Sequence, residues 1–158
     1  MYCFDTSAFM DAWSRWHPID VFPCVWERFE TALKNNRIVA PYLVLTEILQ
    51  NAIDLNKWIN ARHLQTYFIN DTSEVRELAS EIMEEYRDLV DIGRERQQAD
   101  PNVIALSMIR GLPLVTGEKP RKKVTDRHKI PDVCIDKGVE WFNVVKFMKR
   151  EKWCFNNH

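Results

Sequence analysis

The sequence is short of glycine, of paired cysteines, of long apolar runs and of net charge. Only four glycines in 158 residues, with hydrophobic residues at 46%, exclude a disordered or low-complexity chain and favour a compact, helix-rich domain. The four cysteines, Cys3, Cys24, Cys134 and Cys154, include no CxxC pair, which argues against a structural zinc site and suits reduced, mostly buried thiols. No stretch approaches 18 apolar residues and the apolar start is too short for a signal-peptide core, so the expectation is a soluble, cytoplasmic protein with no membrane partner. A net charge of −1 gives no global field to attract a polyanion. No internal repeat is present. The length suits a single domain, residues 1–158, with one core.

What is there begins with the first strand. Tyr2, Cys3 and Phe4 form an apolar run that stops at Asp5, followed by Thr6 and Ser7. A buried strand ending in a carboxylate places that group where open α/β sheets bind ligands. An equally good account is that Asp5, Thr6 or Ser7 caps the helix that follows. The spacing of Phe9, Trp13 and Trp16 predicts one amphipathic helix over 8–16, and Pro23 starts a second with Val25, Trp26, Phe29 and Leu33 inside. Residues 37–40 read as a second strand, and Pro41 opens a helix over 43–52.

In that helix Val44, Leu45, Ile48, Leu49 and Ala52 mark the buried face, with Glu47 on its edge. A rim carboxylate can point into a cleft, or be an ordinary surface Glu. Trp58, Ile59 and Leu64 suggest another short helix, and Tyr67 to Ile69 is an ambiguous apolar run. One of Asp71, Thr72 or Ser73 caps the clearest helix, whose stripe of Val75, Leu78, Ala79, Ile82, Met83, Tyr86, Leu89 and Val90 ends near Gly93. After the polar residues 94–98, Asp100 suits an N-cap and Pro101 the first helical position. A carboxylate held there stays ionised, as a metal ligand should.

Gly111 closes this helix, and residues 112–116 form a strand running into Gly117 and Glu118. Lys119, Arg121, Lys122, Lys123, Arg127, His128 and Lys129 then share one proline-flanked loop, suited to a phosphate backbone or simply solvated. Asp132 lies near the start of a short helix, residues 139–142 read as a strand and 144–150 as the last helix. The segment 152–155 is left between an edge strand and a cover over the core.

Strands alternating with helices imply a three-layer α/β/α fold with a central, mostly parallel sheet of four to five strands. Such a sheet brings Asp5 and Glu118 to one edge, where Glu47 and Asp100 can join them. Four acids together call for cations, and oxygen ligands select Mg²⁺ or Mn²⁺ rather than zinc. Such ions support phosphodiester hydrolysis.

The order of these features resembles the PIN domain family of small metal-dependent nucleases, which includes the VapC-like toxins of toxin–antitoxin pairs. Asp follows strand one, Glu lies in the helix after strand two, Ala99-Asp100 with Ile104-Ala105 opens a later helix, and Thr-x-acid follows the next strand. On that likeness Asp5, Glu47 and Asp100 match the family acids, and Ser7 and Thr116 the hydroxyls beside metal and phosphate. Glu118 stands where the family usually has Asp, and either Glu118 or Asp132 completes the site. The opening Tyr2 to Ser7 and the phrase Lys129 to Cys134 look like a PIN-like branch of small prokaryotic proteins.

The resemblance implies an Mg²⁺- or Mn²⁺-dependent endoribonuclease, the toxin of a toxin–antitoxin pair, with Asp5, Asp100 and Glu118 as metal ligands. RNA is expected on Ser7, Thr116, Lys119, Arg121, Lys122 and Lys123; a protein antitoxin is the expected partner and a homodimer stays open. The alternative is a catalytically weak PIN-like module that binds RNA or a protein. A haloacid dehalogenase-type phosphatase ranks last, because its second Asp is replaced by Ser7.

Overall fold

The computed structural model describes residues 1–90 and 99–155. Its sheet holds five strands: β1 (Tyr2–Phe4), β2 (Ile38–Pro41), β3 (Phe68–Ile69), β4 (Leu114–Val115) and β5 (Trp141–Phe142). They pair in the order β3-β2-β1-β4-β5, and every pair is parallel. The chain first winds outward from β1 to β3, then returns to the other side of β1 for β4. That reversal lies between β1 and β4, the place where such sheets open a crevice at their carboxyl ends.

β1 is apolar throughout because both of its faces are covered. On one face Tyr2 and Phe4 meet Phe147 of helix α8 (Val144–Arg150), and Phe4 also meets Phe9 of α1 (Thr6–Asp11) and Phe29 of α2 (Pro23–Lys34). On the other, Cys3 Sγ donates to Val103 O at 3.6 Å in α6 (Asp100–Arg110). Helices α5 (Ser73–Glu85) and α7 (Ile130–Lys137) pack against α6, which completes the three layers. α3 (Tyr42–Asn51) leaves the end of β2 and is followed by α4 (Ile53–Ala61). No helix of the described residues is long and apolar enough to cross a membrane.

The segment expected as one helix over 8–16 is two. α1 begins earlier, at Thr6, because Asp5 caps it by accepting from Ala8 N at 2.7 Å. It then widens into a π-helical turn, Ala12–Trp16, closed by His17 N donating to Ala12 O at 2.9 Å. The extra residue per turn keeps Trp13 against Trp26, with centroids 4.6 Å apart, and swings Trp16 out to 56% exposure. Trp16 therefore does not belong to the core stripe.

Other expectations shift in similar ways. α3 is rotated toward its polar edge, so Glu47 is buried while Leu49 is exposed. Thr72 caps α5, but that helix stops at Glu85 and leaves Met83 exposed, with Tyr86 turned to donate its hydroxyl to Asp136. Gly93 and residues 94–98 lie outside the described residues. The segment 152–155 forms no strand; Trp153 packs edge-on against Phe29 and Phe147. Cys24 and Cys154 are exposed, so only two of the four free thiols are buried.

Asp100 is the change with most bearing on chemistry. It is not the N-cap. Ala99 takes that position, already in helical backbone geometry, and Pro101 is the second helical residue. The Ala99 N–H is satisfied from another helix, donating to Glu47 Oε1 at 3.0 Å. The helix already includes Asp100, with Val103 N donating to Ala99 O at 2.9 Å, so the Asp100 carboxylate has no capping duty.

Candidate active site

The carboxyl ends of β1 and β4 and the first turns of α1 and α6 enclose a pocket of about 120 Å³. Asp5, Glu47, Asp100 and Glu118 all line it, with Thr6, Ser7, Met10 and Asn51. Asp5 stands at its centre because its backbone continues the ladder, Asp5 N donating to Val115 O at 3.1 Å. Its Oδ1 caps α1, while its Oδ2 accepts from Ser7 Oγ at 2.7 Å and Thr116 Oγ1 at 2.8 Å. The capping account and the site account of Asp5 therefore hold together.

Ser7 and Thr116 are aimed at Asp5 rather than into open space. Ser7 Oγ also accepts from Gly117 N at 2.8 Å, and Thr116 Oγ1 from Glu118 N at 3.0 Å, so the two hydroxyls tie the β4 turn to α1. This close approach explains Gly117, where an added Cβ would lie 2.3 Å from Asp11 Oδ2. Asp11, one turn beyond Ser7 on α1, is an acid that the sequence reading did not single out. Thr6, offered by the sequence only as a possible helix cap, also belongs here: its hydroxyl donates to Glu47 Oε2. Asn51, one turn after Glu47, donates Nδ2 to the Glu47 carbonyl at 2.8 Å. The Asp5-Thr6-Ser7 triplet and the Glu47/Asn51 spacing were the available signals.

Burial and mutual repulsion set the electrostatics. Burial pushes the Asp5 carboxyl up to about 7, with the Glu118 charge adding to it and the bonds from Ser7, Ala8 and Thr116 opposing. Asp100 is raised well above its ordinary range, first by burial, then by the charges of Glu118, Asp5 and Glu47; Arg127 pulls the other way. Asp100 is 7% exposed, and its Oδ2 is buried with no hydrogen-bond partner. An unpartnered buried carboxylate oxygen among three other acids is costly without a cation or a proton.

A protein-family model described as "Domain of unknown function (DUF4411)" matches residues 2–155. The chain belongs to that family. A solved structure described as "Toxin-antitoxin complex from Klebsiella pneumoniae" is similar to this DUF4411 chain at 17% identity, covering 75% of this chain and 87% of that one, with a TM-score of 0.46. No curated protein matches.

Two further groups of expected site residues fall outside the pocket of this DUF4411 domain. Asp132 is committed elsewhere, its carboxylate accepting from Lys129 N at 2.9 Å and Arg121 N at 3.2 Å, where it caps α7 and closes the basic loop. Glu118, by contrast, lines the pocket and accepts from Ile130 N at 3.0 Å through Oε2. In the basic loop, Lys119, Lys122 and Lys123 are exposed. Arg121 is not: its Nη1 donates to the carbonyls of Val124 and Asp126 at 3.0 and 3.3 Å, so it braces the loop.

Proposed function

We propose that this DUF4411 protein is a PIN-type endoribonuclease that uses Mg²⁺ or Mn²⁺ to hydrolyse RNA, and that it is the toxin of a toxin–antitoxin pair. The observation that carries the nuclease reading is the unpartnered Asp100 Oδ2, buried among Asp5, Glu47 and Glu118. The donor set is all oxygen, which fits a hard cation. Among the described residues no three His, Cys, Asp or Glu side chains are arranged to hold an ion together. Mg²⁺ keeps several of its waters and is commonly held by one or two carboxylates, a number that the pocket supplies.

Asp5 and Asp100 are the residues that would hold the ion, with Glu118 beside them. A bound ion supplies an activated water and neutralises charge on the phosphate and leaving oxygen. The chain's own part is orientation. Ser7 and Thr116 hold the Asp5 carboxylate in one rotamer, and Thr6 with Ala99 holds Glu47, so the acids are set before substrate arrives. Glu118 serves as the fourth acid in this reading, and Asp132 as a loop support. Lys119, Lys122 and Lys123 offer their charge to the RNA backbone.

The test is cleavage of RNA by purified protein. Activity is expected with Mg²⁺ or Mn²⁺ and none in EDTA, and EDTA-resistant cleavage sinks the proposal. The second reading is a PIN-like module that binds RNA or a protein without turnover; binding without cleavage in either metal selects it. The toxin reading rests on the sequence resemblance to VapC-like proteins. It expects growth arrest on expression, reversed by a co-expressed protein from the neighbouring reading frame. Arrest that survives the Asp5→Asn change argues against it.

A further inference from the structure

Beside the acid pocket, and sharing Glu118 with it, lies a larger groove of about 470 Å³. That volume falls within the range of small-ligand sites. Trp16 and Trp141 line it, with Lys119 and Lys146 as cations and Asp11 on the side of the acids. Phe142 also contributes, but its ring is engaged by Arg150 at 4.4 Å and Lys146 at 5.3 Å. The two tryptophans are the aromatic surfaces left to a ligand. Trp16 is there only because of the π-helical turn, which turns a large apolar ring away from the core and leaves it 56% exposed. Turns of this kind lose regular hydrogen-bond geometry and recur where a side chain is needed for function.

We propose that this groove binds unpaired bases of single-stranded RNA beside the acid pocket. Indole faces stack on any base, and the lysines that line the same groove can meet phosphates, the combination used to hold single strands without sequence preference. A duplex keeps its bases stacked on one another and offers no face to the tryptophans. Lys119 and Lys146 supply positive charge to the groove and Asp11 and Glu118 negative charge, Glu118 being the acid shared with the neighbouring pocket. The nuclease reading enters only through what lies next door; base binding stands or falls without cleavage.

The experiment measures anisotropy of a short labelled single-stranded RNA with the full chain in EDTA, on an Asp5→Asn background that removes cleavage. Trp16→Ala is expected to weaken binding about tenfold, with most of the affinity restored by Trp16→Phe. Trp141→Ala should do the same; because Trp141 is half-buried, its fold is checked by thermal melting, and the exposed Trp16 keeps the test decisive. Lys146→Ala should lower affinity and flatten its salt dependence. Equal affinity for single strand and duplex, or unchanged binding in Trp16→Ala, overturns the proposal. So does loss of antitoxin binding in Trp16→Ala with RNA binding intact, which makes the groove a protein site. Tryptophan-dependent RNA binding with no cleavage in any metal removes the nuclease reading and keeps the groove; wild-type binding and cutting by both tryptophan variants does the reverse.

Discussion

Replacing Asp5 with asparagine in metal-free protein should stabilise the fold by an amount that grows with pH. Asp5 is 3% exposed, and its carboxyl is raised from 3.8 to about 7, chiefly by burial. Between these values the folded state keeps a proton that the unfolded state has lost, so the folded state binds more protons and stability falls as pH rises. The slope is about 1.4 kcal/mol per pH unit for one group, and the whole loss is complete above pH 7 at roughly 4 kcal/mol. Asparagine carries no such cost. Its carbonyl can still cap α1, and the hydroxyls of Ser7 and Thr116 can rotate to accept from its amide. His17 and the Met1 amino group, both lowered by burial, are common to both proteins and cancel in the difference, whereas Asp100, raised in part by the Asp5 charge, is relieved in the variant and acts in the same direction. Urea melts of wild type and Asp5→Asn in EDTA at about pH 5 and about pH 8 should differ by roughly 3 kcal/mol more at the higher pH. Saturating Mg²⁺ should shrink or reverse the gap, because an ion that binds only the folded wild type stabilises it. A difference that does not move with pH refutes the buried, proton-holding carboxylate and with it the electrostatics of the pocket.

Asp100→Asn should also be more stable than wild type in EDTA, by ~1 kcal/mol, and should lose cleavage by orders of magnitude; since Ala99 is the N-cap, a loss of stability on thermal melting would contradict the geometry. Lys122→Ala with Lys123→Ala should weaken RNA binding equally for all sequences and reduce its salt slope, whereas Arg121→Ala should lower the melting temperature through the two carbonyls it leaves unbonded, and identical salt slopes would return the lysines to solvent. Gly117→Ala should displace the partly exposed Asp11 side chain, whose Oδ2 its Cβ meets, at a cost of ~1 kcal/mol or less, and Asp11→Ala should remove that cost in a double-mutant cycle; additive effects in denaturant melts would show that the two do not touch.

Much of the architecture was legible because local signals and global order agreed. A strand closed by an acid, a Pro-started helix and two glycine stops gave the βα alternation, and a parallel sheet then forces the ends of β1 and β4 together. Asp5, Glu47, Asp100 and Glu118 do meet in one pocket. What resisted reading was side-chain allegiance. Periodicity placed Glu47 on a rim, but its bonds to Thr6 and Ala99 rotate α3 until the carboxylate is inside and Leu49 outside. The Asp-Pro pair indicated a cap at Asp100, yet the helix starts one residue earlier, with Ala99 in the cap position and Val103 N bonded to its carbonyl. Asp132 and Arg121 look like site residues in sequence and serve the loop in space. Trp16 was out of reach for a different reason: a π-helical turn has no composition signal that separates it from an α-helical one.

The central position of β1 has a kinetic consequence. Asp5 and Thr116, bonded at 2.8 Å, are 111 residues apart in the chain. Loop closure over that span must precede the contact it secures, so the sheet belongs with slow, high-contact-order topologies. During synthesis, β1 through β3 can associate before β4 has left the ribosome, but the carboxylate of Asp5 has neither its threonine partner nor its Glu118 neighbour until then. A chain stalled before residue 114 therefore carries three of the four acids and no assembled pocket. The four acids come together only when the segment from residue 114 onward has docked, so the pocket is among the last features of the fold to be completed during synthesis.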